Sequence, residues 1–206
     1  MYTIEVCITG TTPLLQHSFP EAQLNTMLEG STKQTGSTDY SMEWLETMYR
    51  TVDGYLYQPA SHVEGAMVKA AVSFKIKGKR GKTWKDAIRA YVYASPEQIK
   101  HLYQGQPVKA PGPELLRNPT DHLRVDIRRV KVQRAAVARS RLLVNTGWQL
   151  AFSLQVADEQ VRPDVCKEIL QEAGRAVGIG DFRPRYGRFT IDQFEVKPEK
   201  PADDSQ

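Results

Sequence analysis

The 206-residue chain has little of what usually announces a chemistry. Its two cysteines, Cys7 and Cys166, stand alone, with no CxxC and no paired histidine spacing. A structural zinc site is therefore not expected, and the two thiols read as buried groups of a reducing compartment. No apolar run approaches the roughly 18 residues of a spanning helix, so no membrane association is expected. The chain opens on a strand pattern rather than a signal peptide, which makes the cytoplasm the expected location. Paired carboxylates, a nucleophile elbow and metal-ligand spacings are all missing, so neither a cofactor nor a metal is expected. Charge of one sign is not in large excess: the net is +4 with a pI near 9.0, so its distribution matters more than its sum.

What is present is segregated. Met1 to Thr9 alternates, with Tyr2, Ile4, Val6 and Ile8 on one face of a half-buried strand. Residues 18–54 change character: Phe19 to Asp53 holds six acids against Lys33 and Arg50, a net of −4, around a polar glycine- and serine-rich run. This reads as an insertion beside the core, with a short helix near Met42–Tyr49 resting on Trp44, Leu45 and Met48. A helix follows from Ala60, with Ser61 as N-cap and Glu64 closing a capping box. Residues 75–86 form a basic loop carrying Lys75, Lys77, Lys79, Arg80, Lys82 and Lys85 and no acid before Asp86. Ala87 to Tyr93 reads as a second strand, and the proline-rich stretch 95–121 as surface turns.

Leu123 to Val144 alternates apolar and charged residues and predicts a long hairpin. From His122 to Arg141 it carries seven Lys/Arg, among them Arg128, Arg129, Lys131, Arg134, Arg139 and Arg141, against Asp126 alone. Trp148 to Val156 is an amphipathic strand. Arg162 to Gly178 reads as a helix opened by Pro163, with Val165, Ile169, Leu170, Ala173 and Val177 along one face. Phe189 to Val196 closes as a strand, and residues 198–206 read as a disordered tail. Strand, helix, strand, hairpin, strand, helix and strand make a β-α-β-β-α-β order. The expectation is therefore an α+β, ferredoxin-like (RRM-like) single domain over 1–197, with helices on one face of its sheet and the other face open.

Between the last helix and the last strand lies Gly178-Ile-Gly-Asp-Phe-Arg-Pro-Arg-Tyr-Gly-Arg188. Gly178, Gly180 and Gly187 permit positive φ, while Arg183, Arg185 and Arg188 concentrate charge beside Phe182 and Tyr186. Exposed N–H groups and guanidinium forks in such a loop suit phosphate, and the aromatics suit bases. It is not a dinucleotide fingerprint, whose glycines lie between a strand and the helix after it, and it has no Lys-Ser/Thr pair of a Walker loop.

That loop resembles the C-terminal glycine-rich loop of the RAMP superfamily, the repeat-associated proteins of CRISPR systems. Tyr57 to Lys69 is similar to the segment that opens the family's first helix, with Pro59, Ser61, Gly65, Ala66 and Lys69 on matching positions around His62. Thr9 to Leu15 resembles the exit from the first strand in subunits that coat guide RNA. The pattern departs from the family's at Ala60 and Glu64, and after Gly187. The resemblance implies single-stranded RNA held along a basic surface by several copies, as a homo-oligomer or filament, alone or beside other subunits of an RNA-guided complex. Single-stranded DNA of a phage or mobile element is the alternative ligand. Some RAMP relatives cut RNA: His17 falls near the position of a catalytic histidine in repeat-processing members, and Asp39 and Asp53 lie in the insertion where target-cutting members place an aspartate. The expectation remains a binder rather than a nuclease, with Tyr91 and Tyr93 as further stacking surfaces and the basic elements converging on one face of the sheet.

Overall fold

The computed structural model is described here over residues 1–19, 42–132 and 135–198, with residues 130–132, 135–137 and 198 as backbone only. The first strand, β1 (Tyr2–Gly10), lies between β9 (Gln149–Val156) and β10 (Phe189–Pro198), antiparallel to both. The far side of β9 is shared by β4 (Val92–Ser95) and β5 (Gln98–Tyr103). β5 in turn pairs with β3 (Tyr57–Pro59) and the short β6 (Gln106–Pro107). Alternation sets the faces: Ile4, Val6, Ile8, Leu150, Phe152, Leu154 and Val156 are all buried. Helices α2 (Ala60–Ala70) and α4 (Pro163–Glu172) pack against each other and supply Val63, Ala66, Met67, Cys166, Ile169 and Leu170 to the same core.

A second, three-stranded sheet stands apart. The hairpin β7 (Leu123–Val132) and β8 (Ala135–Val144) pairs with the two-residue β2 (Leu14–Leu15) through Leu14↔Val144 and Leu15↔Leu143. The short helix α1 (Glu43–Glu46) packs on β8. Its Glu43 is buried, pairs with Arg139 and accepts the Ser140 N–H at 3.4 Å, while the Ser140 hydroxyl accepts the Trp44 N–H at 3.2 Å. The described end of the acidic insertion is thus fastened to the basic hairpin of its own chain.

Three expectations are corrected. Residues 87–93 are not a strand: α3 (Lys85–Tyr91) precedes β4, because Lys85, Ala87, Arg89 and Ala90 favour helix and Ile88 alone is buried. The 95–121 stretch is not merely surface turns, since β5, β6 and a 3-10 turn at Pro113–Leu116 lie in it and Ile99, His101 and Leu115 are buried. Ser61 does not cap α2. Pro59 holds that position with no side-chain bond, and the Glu64 carboxylate instead accepts the Ala94 N–H at 2.9 Å, tying α2 to β4.

The open face of the large sheet is acidic rather than basic. β1 presents Thr3, Glu5, Cys7 and Thr9 there, with Glu195 directly opposite Glu5 and Asp192 bonded to Thr9. Lys197, 4.0 Å from Glu5, is the lone cation on these two strands.

A buried polar network lies beneath β3 and β5. The Gln16 amide donates to the Tyr57 carbonyl at 2.9 Å and rests 3.1 Å from His101 Nε2, and Gln58 Oε1 lies 3.3 Å from the same nitrogen. Burial pushes the His101 pKa from its ordinary 6.5 down to about 3. Below pH 6.5 the unfolded chain therefore binds a proton that the folded chain refuses, so this contribution to stability is full above that pH and is lost as pH falls toward 3. We expect denaturant-unfolding free energy to fall over this window by up to about 1.4 kcal/mol per pH unit from this group. His101→Gln should be less stable at pH 7 and show a slope shallower by close to one proton; an unchanged slope would contradict the assignment.

Candidate nucleic-acid interface

The last helix widens into a looser turn at Ala173–Val177 and stops at Gly178, where φ is +72°. From there the loop folds onto the connection between β1 and β2. The Asp181 N–H donates to the Leu15 carbonyl at 2.9 Å, the Gly187 N–H to the Pro13 carbonyl at 2.8 Å, and the Ile179 N–H to the Gly187 carbonyl at 2.9 Å. Two glycines are required by this closeness. At Gly187 (φ +73°) a Cβ would lie 1.8 Å from the Ile179 oxygen, and at Gly180 (φ +78°) it would lie 2.7 Å from the Leu15 oxygen. The Phe182, Tyr186 and Arg188 N–H groups are also bonded internally. Most backbone donors of this loop therefore hold the loop itself. A cradle of free N–H groups is not what the loop offers, and its side chains are what remain for a ligand.

Those side chains divide into two sets. Arg141 is buried in β8, with Nε 2.7 Å from the Asp181 carboxylate and its guanidinium 5.1 Å from the centre of the Phe182 ring. Arg128 forks onto Asp126 at 2.6 and 3.1 Å, donates to the Tyr186 hydroxyl, and lies 4.9 Å from that ring's centre. Arg139 is paired with Glu43. So Arg128, Arg141, Phe182 and Tyr186 join hairpin to loop, and Arg139 joins the hairpin to α1, although Phe182 keeps 41% of its surface exposed. The second set is Arg129, Arg183, Arg185 and Arg188, which are exposed and form no ion pair among the described residues. Lys131 and Arg134 fall on side chains outside the described set, and Asp39 lies wholly outside it.

The basic loop is elsewhere. It is closed by Trp84 N–H to Phe74 carbonyl and Ile76 N–H to Lys82 carbonyl bonds, both 3.0 Å. Lys75, Lys77, Lys79, Arg80 and Lys82 are exposed around the closure, and Lys85 is half-buried at the start of α3. This loop follows the C-terminal end of α2, whereas Arg183 acts on His62 in the first turn of that helix. At 1.5 Å per residue the eleven-residue helix separates the two sites by about 16 Å. Two basic surfaces result rather than one, and neither lies on the open face of the large sheet. Of the helix-start residues, Ser61 and Lys69 are exposed. Tyr91 is exposed at the end of α3, and Tyr93 is exposed on the sheet.

His17 is exposed just beyond β2, and its pKa is lowered by the burial it has and by Arg141. His62 is half-buried and lowered by burial and then by Arg183. Asp53 is exposed, paired with Lys100 at 2.7 Å, and lowered chiefly by that hydrogen bond. Among the described residues no three His, Cys, Asp or Glu side chains gather as a metal-binding set, and no helix is long and apolar enough to cross a membrane. Tyr49, Gln16 and Gln58, which the sequence did not single out, adjoin the histidines: the Tyr49 hydroxyl donates to the His17 carbonyl at 3.2 Å and its ring meets the His62 ring edge-on at 5.5 Å.

No family model matches the sequence, and no curated protein does. Solved structures do. A chain of the Type III-B Cmr-beta, determined by cryo-EM bound to cognate target RNA, matches with a TM-score of 0.50 at 14% identity. The fold is of the Cmr type. The match covers 95% of this chain but 60% of that one, so this chain spans about three fifths of its length. Cmr6 from Pyrococcus furiosus matches with a TM-score of 0.43 at 12% identity over 91% of this chain and 96% of that one.

The two sets of arginines should separate in stability measurements. Arg141→Ala leaves the Asp181 carboxylate without its counter-ion and should lower unfolding free energy by about 1–3 kcal/mol. Arg185→Ala, exposed and unpaired, should stay within about 0.5 kcal/mol. Equal effects in denaturant melts would show that the loop is not held through Arg141.

Proposed function

We propose that this chain is a RAMP-type binder of single-stranded nucleic acid, RNA in the first place, that coats the strand in several copies and does not cut it. Its glycine- and arginine-rich loop would carry the phosphates, beside other subunits where it serves an RNA-guided complex. The strand order β10-β1-β9-β4, with α2 and α4 in the two crossovers, supports a ferredoxin-like reading of the core. The observation that carries the function is the second set of arginines. Arg183, Arg185 and Arg188 project from a loop whose backbone is bonded into the β1–β2 connection, whereas Arg129, next to the loop-facing Arg128, points to the opposite face of the hairpin. Such a fixed loop presents guanidinium forks with little ordering left to do on binding, which favours phosphate contact. Phe182 is partly exposed beside them and can stack on a base. Arg128, Arg139 and Arg141 would support this surface from behind rather than touch the strand. The exposed residues Lys75, Lys77, Lys79, Arg80 and Lys82 would form a second contact, reached by a long strand or by a neighbouring copy.

Fluorescence anisotropy with labelled RNA and DNA oligomers over a salt series tests this reading. Three phosphate contacts on a single strand would give a slope of log affinity against log salt of about −2. Arg183→Ala with Arg185→Ala should flatten that slope by about 1–2 units and weaken binding to all sequences alike, with an unaltered melting temperature. No binding to either oligomer at about 50 mM salt would end the proposal, as would an unchanged slope in the double variant for the loop's role. Light scattering with long strands should show several copies per strand; saturation at one copy would refute coating.

A further inference from the structure

Each of the two sheets leaves one long strand with a free edge. Among the described residues β10 pairs only with β1, and β7 pairs only with β8. Both strands are ten residues long. An unpaired edge is a row of N–H and C=O groups open to another chain, and proteins usually blunt it with charge, proline, a bulge or a cover. β10 has a bulge near Asp192, where its register against β1 shifts between Cys7 and Ile8, but residues 193–197 beyond it pair regularly. β7 runs against β8 without a break from Leu123 to Val132. The turn at Pro113–Leu116 packs beside β7 and the Thr120 N–H takes the Leu123 carbonyl, so the free edge begins after Leu123.

The two edges differ in charge. β7 carries Arg124, Arg128, Arg129 and Lys131 against Asp126, and β10 carries Asp192 and Glu195 against Lys197. Arg128 is taken by Asp126, while Arg124 and Glu195 are exposed and form no ion pair among the described residues. Each edge also exposes a large aliphatic side chain, Ile127 at 53% and Val196 at 47%. Alternation puts Val125 and Ile127 on one face of β7 and Arg124 on the other. On β10, Phe194 and Val196 share the core-side face with Val6 and Ile4, and Glu195 lies on the open face opposite Glu5.

We propose that β10 of one copy pairs with β7 of a second copy, so that copies join head to tail through their sheet edges. The proposal rests on the coating reading above for its role and names the contact by which successive copies meet; the contact itself requires no nucleic acid. Charge decides the pairing. Two β7 edges brought together set arginines against arginines, and two β10 edges set carboxylates against carboxylates. The mixed pair removes both conflicts. With its faces aligned it lays Ile127 against the Val196 side and brings Arg124 to the side of Glu195, while the backbone groups of both edges gain partners. The two edges belong to different sheets, so a copy that has used one still offers the other. Such a heterologous contact repeats from copy to copy.

Sedimentation velocity of the full chain, freed of nucleic acid, tests the contact over a concentration series. The weight-average coefficient should rise with concentration past that of a dimer. Two variants block one edge each, Val196→Lys on β10 and Ile127→Lys on β7, lysine being a residue that blunts natural edges. Both positions are exposed, so circular dichroism and melting temperature should match those of the parent chain. Each variant alone should stay monomeric. Mixed in equal amounts they should form a one-to-one dimer that grows no further, because one copy keeps a working β7 and the other a working β10. A parent chain that is monomeric at every concentration overturns the proposal, as does assembly that stops at a dimer or a mixture that does not dimerise. Should a variant fail to fold, hydrogen exchange of the parent chain decides. Amides of residues 124–129 and 193–197 should slow together as concentration rises, and slowing of one set alone, or of neither, overturns the pairing. The two readings separate. Association of copies without binding of RNA or DNA oligomers upholds this interface and ends the strand-binding reading; oligomer binding by a chain that stays monomeric does the reverse.

Discussion

The joint at Asp181 is the constraint on which the presented surface depends. Its backbone N–H is bonded to Leu15 and its carboxylate is ion-paired with Arg141 at 2.7 Å, so one residue ties the loop to both β2 and the hairpin. Arg141 is buried, and burying a guanidinium is costly without the counter-charge that Asp181 supplies. Phe182 then covers the Arg141 guanidinium, and Tyr186 covers and accepts from Arg128. With those four side chains interlocked, the chain between them has few conformations left, and Arg183 and Arg185 are carried as passengers on a fixed bend. Pre-organisation of this kind moves entropy loss from the binding step to the folding step.

Charge bookkeeping by segment would have given a different picture from charge by location. The hairpin's seven Lys/Arg overstate what faces solvent, because Arg128, Arg139 and Arg141 are matched by Asp126, Glu43 and Asp181. Likewise the acidic insertion is not simply free to meet a neighbouring copy, since its Glu43 is buried against β8. What remains is a small cationic edge at the loop and a larger one at residues 75–85, separated by the length of α2.

Much of the architecture was legible because it follows from period and punctuation. Alternation from Tyr2 to Thr9 and from Trp148 to Val156 gave the two central strands, and Pro163 marked the start of the last helix. The hairpin arms emerged with their pairing intact. Local pattern failed where two readings competed. Tyr-Val-Tyr suggested a strand, but the alanines and basic residues before it made a helix that ends at Tyr91. Four prolines hid β5, whose inward positions alternate Ile99 with a histidine that no hydrophobic pattern would place in a core. The site was less legible than the fold. Gln16, Tyr49, Gln58 and His101 come together from segments far apart in sequence, and an arginine's side of a strand does not tell whether a carboxylate awaits it.

The open face of the large sheet argues for where a strand of nucleic acid would lie. Sheet-platform readers stack bases on aromatics of their central strands and surround them with cations. Here the outward positions of the two central strands are Thr3, Glu5, Cys7 and Thr9 on β1 and Gln149, Ala151, Ser153 and Gln155 on β9. None is aromatic or basic, and Glu5, Asp192 and Glu195 place negative charge where phosphates would run. A polyanion lying there would be repelled, and beyond Tyr93 of β4, opposite Gln155, these strands offer it no exposed ring. The cations and the exposed Phe182 ring are instead found at the end of the molecule where the β1–β2 connection, the start of α2 and the glycine-rich loop meet. The sheet therefore acts as the frame that holds this end in place, and under the proposed reading a strand would be bound by the connections between its elements.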